Sequence, residues 1–564
     1  MADDTSMTGD GVRWTEIDGV RTVWGEAPGP LAASLVFRVG AADETLTTFG
    51  STHIVEHLTL FPLGQQPHYQ NGSVRVTLTS FDTSGEPAEV TAFLRGVCEN
   101  LSSLAIDRLP DEIRVLETEE SRRSLGTATS LLSWRFGPNG PGLWGYDQYA
   151  RRVMDGPHLQ LWADRVFTRG NAVLVLTGPP PEGLSLPLKD GPRRATPPLV
   201  DAIQQLPSWF QSPWSDVGAH SLLTRSVPAA AYAHVLGREL VDTLRYRLGV
   251  AYSPSVDYDP YDATTAQLYV GADAHSDHSQ AVLDTLVETL DRLAQDGPDQ
   301  SRVDEYVAQF ARSRALPGAA AGEAHRQAVE WLFSGEVRPP ELLEQELADL
   351  TVDSVRGAAE EARSQALYCL PEGVEPTTAA IVRSPDVSVA RPVTGTVHRW
   401  LGQHTGGSET VELVVSDTGV TLRRPEGEPV TVMFADARAV LVFPDGGRRL
   451  HAWDGVAITV EPQMWTDGYS VIPRIDVATA AIRVPMPERQ ADDIPQPLRT
   501  EKGSGSGKDM TRFGRIWRIV LGALLVVAAV GGAIVRMVEG QAPAGGSAIF
   551  GAAGFYLLFS GIRG

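Results

Sequence analysis

Residues 39–58 read VGAADETLTTFGSTHIVEHL, and this stretch decides which fold and chemistry the sequence predicts. His53 and His57 are four positions apart, so on a helix both imidazoles project from one face, about one turn apart. Two histidines at this spacing can bind one tetrahedral zinc ion. Glu56 lies near the same face, where its carboxylate can accept a proton from a metal-activated water. The alternative is a surface helix that happens to carry two histidines and a glutamate.

The order His-x-x-Glu-His is the inverzincin signature, and the residues around it resemble the insulinase/pitrilysin-like zinc metallopeptidases, the family of the mitochondrial processing peptidases. In that family a strand leads to Gly-Ser-x-x-Glu, a loop and Gly-x-x-His-x-x-Glu-His. Gly40, Glu44 and Gly50 stand at the corresponding positions here. Residues 158–178 resemble the segment that closes the first domain of the family. The resemblance covers about residues 12–372 and implies a zinc metalloendopeptidase that hydrolyses peptide bonds of small or unfolded polypeptides.

The resemblance also implies a third zinc ligand, a glutamate on a later helix, seven positions after a second glutamate. Residues 109–123 (LPDEIRVLETEESRR) resemble that helix. The alignment makes Glu119 the ligand and Glu112 its companion in orienting the site or transferring protons, and seven positions are about two helical turns. The stretch before this helix is shorter than in the family, which leaves the register open. Glu117 and Glu120 therefore remain alternatives.

A second pair of residues is implied by the segment LRYRLGVAYS at residues 244–253, which resembles the family's Leu-Arg-Glu-x-Arg-Gly-Leu-Ala-Tyr-Ser. In the family, its arginine and tyrosine reach across to the substrate at the zinc. Arg245 can hold a substrate carbonyl or carboxylate, and Tyr252 can donate a hydrogen bond to the developing oxyanion. The alternative is structural: a core tyrosine and a surface arginine beside a strand.

The predicted fold class is α+β, with two insulinase-like metallopeptidase domains, a small antiparallel β domain and a C-terminal transmembrane helical hairpin. The Pro-rich stretch 192–213 is expected to join the two peptidase-like halves. The β domain follows from period-two alternation of apolar residues between turn signals, and it is similar to pleckstrin-homology-like domains in strand number and length. The five predicted regions are 12–190 (zinc-bearing), 205–372 (second peptidase-like), 395–487 (β domain), 488–515 (flexible linker) and 516–563 (hairpin).

The hairpin is predicted from two uncharged apolar runs, residues 519–535 and 545–562, each close to the length that crosses a bilayer. Basic residues before the first run and after the second predict that both ends lie in the cytoplasm. We therefore expect an inner-membrane protein with two spans, anchored by the hairpin, whose catalytic part faces the cytoplasm; no signal peptide is visible. Two buried core helices are the alternative for these runs.

Composition restricts the partners and the chemistry. The net charge of −22 argues against nucleic acid, which needs a basic surface. The two cysteines, Cys98 and Cys369, form neither a disulfide framework nor a thiolate metal site, and they are typical of a reducing compartment.

The predicted activity has two rivals. A catalytically silent family member could act as a scaffold or as the non-catalytic subunit of a heterodimeric peptidase. An adaptor could dock on a membrane through the β domain. Because family members of this length pair into a four-domain chamber, the resemblance implies a homodimer or a heterodimer with a sister subunit.

Overall fold

The computed structural model describes residues 6–7, 11–123, 126–203, 205–385, 388–402, 411–425 and 427–497. Within them, four β-sheets and thirteen α-helices form two α/β halves and a β domain.

The first half contains a seven-stranded sheet with strand order β1-β2-β3-β7-β4-β6-β5. Its strands are β1 (Ser6–Met7), β2 (Arg13–Ile17), β3 (Val20–Trp24), β4 (Leu31–Phe37), β5 (Tyr69–Val74), β6 (Thr79–Gly85) and β7 (Ala172–Leu176). Its helices are α1 (Ser51–Leu60), α2 (Pro87–Ser102), α3 (Leu109–Arg122), α4 (Thr127–Phe136), α5 (Ala150–Val153) and α6 (Gly156–Val166). Alternate residues of the central strands, such as Leu35, Phe37 and Leu174, pack against α1, α2 and α6.

The second half contains a six-stranded sheet with strand order β10-β11-β9-β12-β8-β13. Its strands are β8 (Ser208–Ser212), β9 (Val217–Thr224), β10 (Ser255–Pro260), β11 (Thr265–Ala272), β12 (Leu367–Pro371) and β13 (Val382–Arg383). Its helices are α7 (Val227–Leu240), α8 (Ser279–Gln295), α9 (Gln300–Arg314), α10 (Ala319–Ser334), α11 (Pro340–Ala348) and α12 (Val352–Ser364). The predicted Pro-rich join at 192–213 is therefore partly wrong, because β8 pairs in parallel with β12 inside this sheet.

Each half of the chain contributes one helix that packs on the sheet of the other half. Helix α10 of the second half covers the outer face of the first sheet, where Leu332 packs against Val36 and Val173. Helix α4 of the first half covers the corresponding face of the second sheet, and the Trp134 ring stacks on Phe210 with centroids 4.4 Å apart. Each sheet is therefore buried on both faces, and the second face is covered by the other half of the chain.

The β domain contains two four-stranded sheets that share one core. Its strands are β14 (Thr396–Arg399), β15 (Glu412–Val415), β16 (Gly419–Arg423), β17 (Val430–Met433), β18 (Ala437–Val442), β19 (Arg448–Ala452), β20 (Ala457–Val460) and β21 (Arg483–Pro485), with helix α13 (Ile472–Ala478) before the last strand. The predicted antiparallel pairing is found in both meanders, whereas β21 pairs with β18 in parallel.

The prediction of a transmembrane hairpin is corrected. The segment 516–563 lies outside the described residues, and the part of the chain that is described has no helix long and apolar enough to cross a membrane. Its longest helix, α8, has 17 residues, several of them charged, whereas a span needs about 20 mainly apolar residues. The fold class of the described residues is thus mixed α and β with several sheets, and the predicted hairpin is not supported. The predicted inner-membrane location with two spans and a cytoplasmic catalytic part is corrected for the same reason.

Candidate metal centre

Helix α1 presents the two histidines because its other face is buried. Ile54, Val55 and Leu58 lie in the core of the first half. The helical period then turns His53 and His57 to the opposite side, where their side chains are 27% and 16% exposed.

The start of α1 is held by a buried carboxylate. Glu44 accepts hydrogen bonds from the backbone N–H groups of Gly50 (2.7 Å) and Thr52 (2.6 Å). An anion at this end satisfies free N–H groups and matches the helix dipole. Gly50 has φ +98°, a left-handed conformation that favours glycine. The loop before the helix therefore fixes the first residue of α1 and, with it, the position of His53.

Helix α3 brings two glutamates to the histidines. Glu112 is buried and Glu119 is half exposed, two turns further along the same face. An oxygen of Glu119 lies 3.8 Å from Nε2 of His53 and 3.7 Å from Nε2 of His57. Glu120 instead forms an ion pair with Arg123 at 2.8 Å. The structure thus places Glu119 at the histidines, while Glu120 is paired elsewhere and Glu117 is absent from the cluster.

One donor atom from each of His53, His57 and Glu119 lies within 4.8 Å of the other two. Two histidines and one glutamate with an open fourth position form a known donor set of catalytic zinc. Tetrahedral zinc separates its nitrogen and oxygen ligands by about 3.4 Å, given metal–ligand distances of about 2.0–2.2 Å. These side chains fit zinc after movements of a few tenths of an ångström to about one ångström.

Each histidine is oriented by an acceptor on its other nitrogen. Nδ1 of His57 lies 3.2 Å from Oε2 of Glu112, and Nδ1 of His53 lies 3.1 Å from Oε1 of Gln148. An acceptor at Nδ1 favours the tautomer that leaves Nε2 free for a metal. The sequence did not indicate Gln148, since it is 95 positions from its partner and belongs to no motif.

The electrostatics of the cluster favour a cation. Burial raises the pKa of Glu56 to about 7. Burial opposes a charge on His57, but hydrogen bonds and charges from Glu119, Glu56 and Glu112 outweigh it and raise the pKa of His57 to about 9. Burial and the neighbouring imidazole of His57 lower the pKa of His53. Three carboxylates around two imidazoles give the site an excess of negative charge that a divalent cation would neutralise.

Glu56 lies between His53 and His57 on one side and the edge of the first sheet on the other. Its Oε2 is 3.9 Å from Nε2 of His53 and 3.8 Å from Nε2 of His57. On the other side, Gly72 of β5 approaches so closely that a Cβ there would be 2.0 Å from Oε1 of Glu56. Only glycine leaves room for the carboxylate at this point of the strand.

The structure does not bring Arg245 and Tyr252 to this cluster. The Arg245 guanidinium lies 4.8 Å from the centroid of the Tyr252 ring, and the Tyr252 side chain is 71% exposed. Arg245 belongs to a π-helical stretch, Val241–Arg247, an irregularity that is frequent at functional sites. Among the described residues, neither side chain has a hydrogen bond, ion pair or ring contact with the histidines or glutamates of the site.

The family described as "Peptidase M16 inactive domain" matches residues 205–310. Residues 205–310 are thus similar to this M16 domain. The predicted resemblance to the insulinase-like family is thereby confirmed, although the match lies entirely C-terminal to the His53–Glu119 cluster and does not test it. No curated protein sequence matches the chain.

Solved structures share the fold of this chain. A protease from Helicobacter pylori is 14% identical with a TM-score of 0.51, covering 64% of this chain and 99% of its own. The periplasmic protease PqqL from Escherichia coli is 12% identical with a TM-score of 0.50, covering 76% of this chain and 56% of its own. At these identities the similarity shows a common fold.

Proposed function

We propose that the chain is a zinc metalloendopeptidase that hydrolyses peptide bonds of small or unfolded polypeptides. The observation that carries this proposal is the convergence of His53, His57 and Glu119 within 4.8 Å, with Glu56 beside them. Zinc held there would polarise the scissile carbonyl and lower the pKa of a water.

The protein groups have separate roles in this proposal. Glu56 is the general base, because its carboxylate lies beside both histidines, 3.9 and 3.8 Å from their Nε2 atoms, where it can take a proton from a metal-activated water. Glu112 accepts a hydrogen bond from Nδ1 of His57 and thereby holds the ring with Nε2 towards the metal. Both roles depend on α1 and α3, which are packed into the core of the first half.

Strand β5 offers a place for an extended substrate. It is the last strand of the first sheet among the described residues, so one of its edges is open. An extended peptide can add to such an edge through backbone hydrogen bonds. Because Gly72 of this strand contacts Glu56, a peptide paired to β5 would pass beside the proposed base. This route favours unfolded substrates over folded ones.

Arg245 and Tyr252 are kept in the proposal as substrate-binding residues. Among the described residues they have no direct contact with the cluster, so a substrate between them and the histidines, held by one chain or by two subunits, would have to bridge the gap. We propose a homodimer, or a heterodimer with a sister subunit, as the active form. The exposed aromatic ring of Tyr252 is suited to such a contact.

The test compares wild type with three variants of the full chain that each replace one carboxylate by an amide. Glu56→Gln should keep about one zinc per chain and lose cleavage of a peptide library. Glu119→Gln should lose zinc, whereas Glu117→Gln, on the exposed side of the same helix, should keep both zinc and activity. Less than a tenth of an equivalent of zinc in wild type, unchanged in Glu119→Gln, would contradict the proposal.

The alternative of a catalytically silent member has two observations in its favour. The family match is to a domain described as inactive, and Arg245 and Tyr252 do not contact the cluster. A silent subunit that binds zinc but cleaves nothing would give the same peptide profile for wild type and Glu56→Gln. Adding a sister subunit would then supply activity that is insensitive to Glu56→Gln.

A further inference from the structure

The β domain packs directly on two segments that lead to His53, one through the sequence and one through a hydrogen bond. One segment is the loop 41–49 before α1, and the other is 139–149, which ends at Gln148 and Tyr149. Their buried apolar side chains form one cluster with three residues of β18 and β21. The cluster consists of Ala41, Leu46, Phe49, Leu143, Tyr149, Ala439, Leu441 and Val484.

Polar and aromatic contacts extend this contact surface. The Asn139 side chain donates to the carbonyl of Trp453 at 2.6 Å and accepts from Arg438 at 2.8 Å. The Tyr146 ring meets the ring of His451 edge-on, with centroids 5.7 Å apart. Segment 139–149 is therefore held by the β domain as well as by the first half.

This segment carries the acceptor for His53. Gln148 is 8% exposed, and its Oε1 lies 3.1 Å from Nδ1 of the imidazole. An amide oxygen only accepts hydrogen bonds, so the contact requires a proton on Nδ1, and in the neutral imidazole this leaves Nε2 unprotonated. The position of Gln148 is further restricted by Gly50 at the start of α1, where a Cβ would lie 2.7 Å from the Cβ of Gln148. The backbone N–H of Ala150 also donates to the carbonyl of Phe49 at 3.0 Å.

We propose that the β domain is a positioning part of the metal centre, which acts through Gln148 on the orientation and tautomer of His53. The inference rests on the proposed zinc site. Strand β18 packs on one face against the cluster shared with the first half and on the other face against the core of the β domain. Leu441 and Ala439 face the loop and Gln148 segment, while Val440 between them faces the core of the β domain itself. This is the two-residue alternation of a strand.

The first test measures zinc affinity of the full chain by competition with a chromophoric chelator. Gln148→Leu removes the acceptor at nearly constant size and should weaken zinc binding about tenfold or more, the range for residues that orient metal ligands. Gln148→Glu restores an acceptor and should bind zinc as tightly as wild type or more tightly. Cobalt, used as a spectroscopic probe, should show shifted d–d bands in Gln148→Leu and wild-type bands in Gln148→Glu.

The second test separates the contact surface from general stability of the β domain. Leu441→Ala removes a side chain at the contact with segment 139–149 and should weaken zinc binding about threefold or more. Leu413→Ala makes the same change in the domain's own core and should lower its melting temperature while leaving zinc affinity unchanged. Circular dichroism shows that each variant is folded before its affinity is compared.

The outcomes distinguish this inference from the proposed function. A wild-type chain without stoichiometric zinc overturns both. A wild-type zinc complex with Gln148→Leu within twofold of its affinity overturns the positioning role of Gln148 alone. Equal losses of affinity in Leu441→Ala and Leu413→Ala overturn the specific contact, because they show that only the overall stability of the β domain matters.

Discussion

Arg135 joins the two halves of the chain at helix α4, and its replacement is the sharpest test of this architecture. Its side chain is fully buried. The guanidinium donates to Asp201 (2.9 and 3.1 Å) and to the backbone and side-chain oxygens of Gln365 (2.8 and 3.0 Å). Arg135→Met keeps the apolar stem and removes all of these donors.

The expected cost follows from what is left behind. The backbone and side-chain oxygens of Gln365 lose their donor. Each of these oxygens that stays buried without a partner lowers the free energy of unfolding by about 1–3 kcal/mol. Asp201 has a side chain 33% exposed, so water can replace its partner and the full penalty for an isolated buried charge, about 3–5 kcal/mol, does not apply. Burial lowers the pKa of Arg135, which shows that the charge itself was costly to bury. We therefore expect Arg135→Met to lower the free energy of unfolding by about 2–4 kcal/mol.

Urea unfolding of the full chain, followed by far-ultraviolet circular dichroism, measures this loss. The matched control is Arg292→Met, which breaks an exposed ion pair with Glu239 and should cost about 0–1 kcal/mol. A double-mutant cycle of Arg135→Met with Asp201→Asn gives the coupling between the two side chains. If Arg135→Met costs no more than Arg292→Met, the buried hydrogen bonds of Arg135 do not stabilise the junction of the two halves.

Three further predictions concern the metal, the proposed base and the β domain. Removing zinc with a chelator should lower the melting temperature, since zinc at 100 times its dissociation constant stabilises a folded site by about 2.7 kcal/mol; an unchanged melting temperature contradicts this. Gly72→Ala should push the Glu56 carboxylate aside and lower kcat/KM about 100-fold, whereas Gly357→Ala, with open space around it, should keep full activity; equal activities would refute the crowding. Hydrogen bonds from Arg489 lower the pKa of Asp445, so the pair stabilises the fold above the unfolded pKa of about 3.9 and loses this effect as the pH falls below it. Arg489→Met should accordingly lower the melting temperature at pH 7 more than at pH 3, and a constant difference would contradict the ion pair.

Local patterns predicted much of the first half. Residues 109–123 were expected to form a helix from their resemblance to the family's helix, and α3 spans Leu109–Arg122. Such patterns are reliable because helical period and capping act over a few residues. The Pro-rich stretch 192–213 misled the prediction because proline and glycine mark breaks in the chain but do not show that Ser208–Ser212 pairs with a strand far along the sequence.

The sequence by itself determined that His53, Glu56 and His57 share one helical face, and that Glu112 and Glu119 share another, because both spacings are properties of a single helix. Only the tertiary structure decided that Glu119, and not its neighbours, meets the histidines, since that depends on how α3 crosses α1. The same holds for Gln148 and for the β domain beside it. Their contacts join residues separated by about a hundred to several hundred positions, and packing between elements, unlike helical period, leaves no regular spacing in a single sequence.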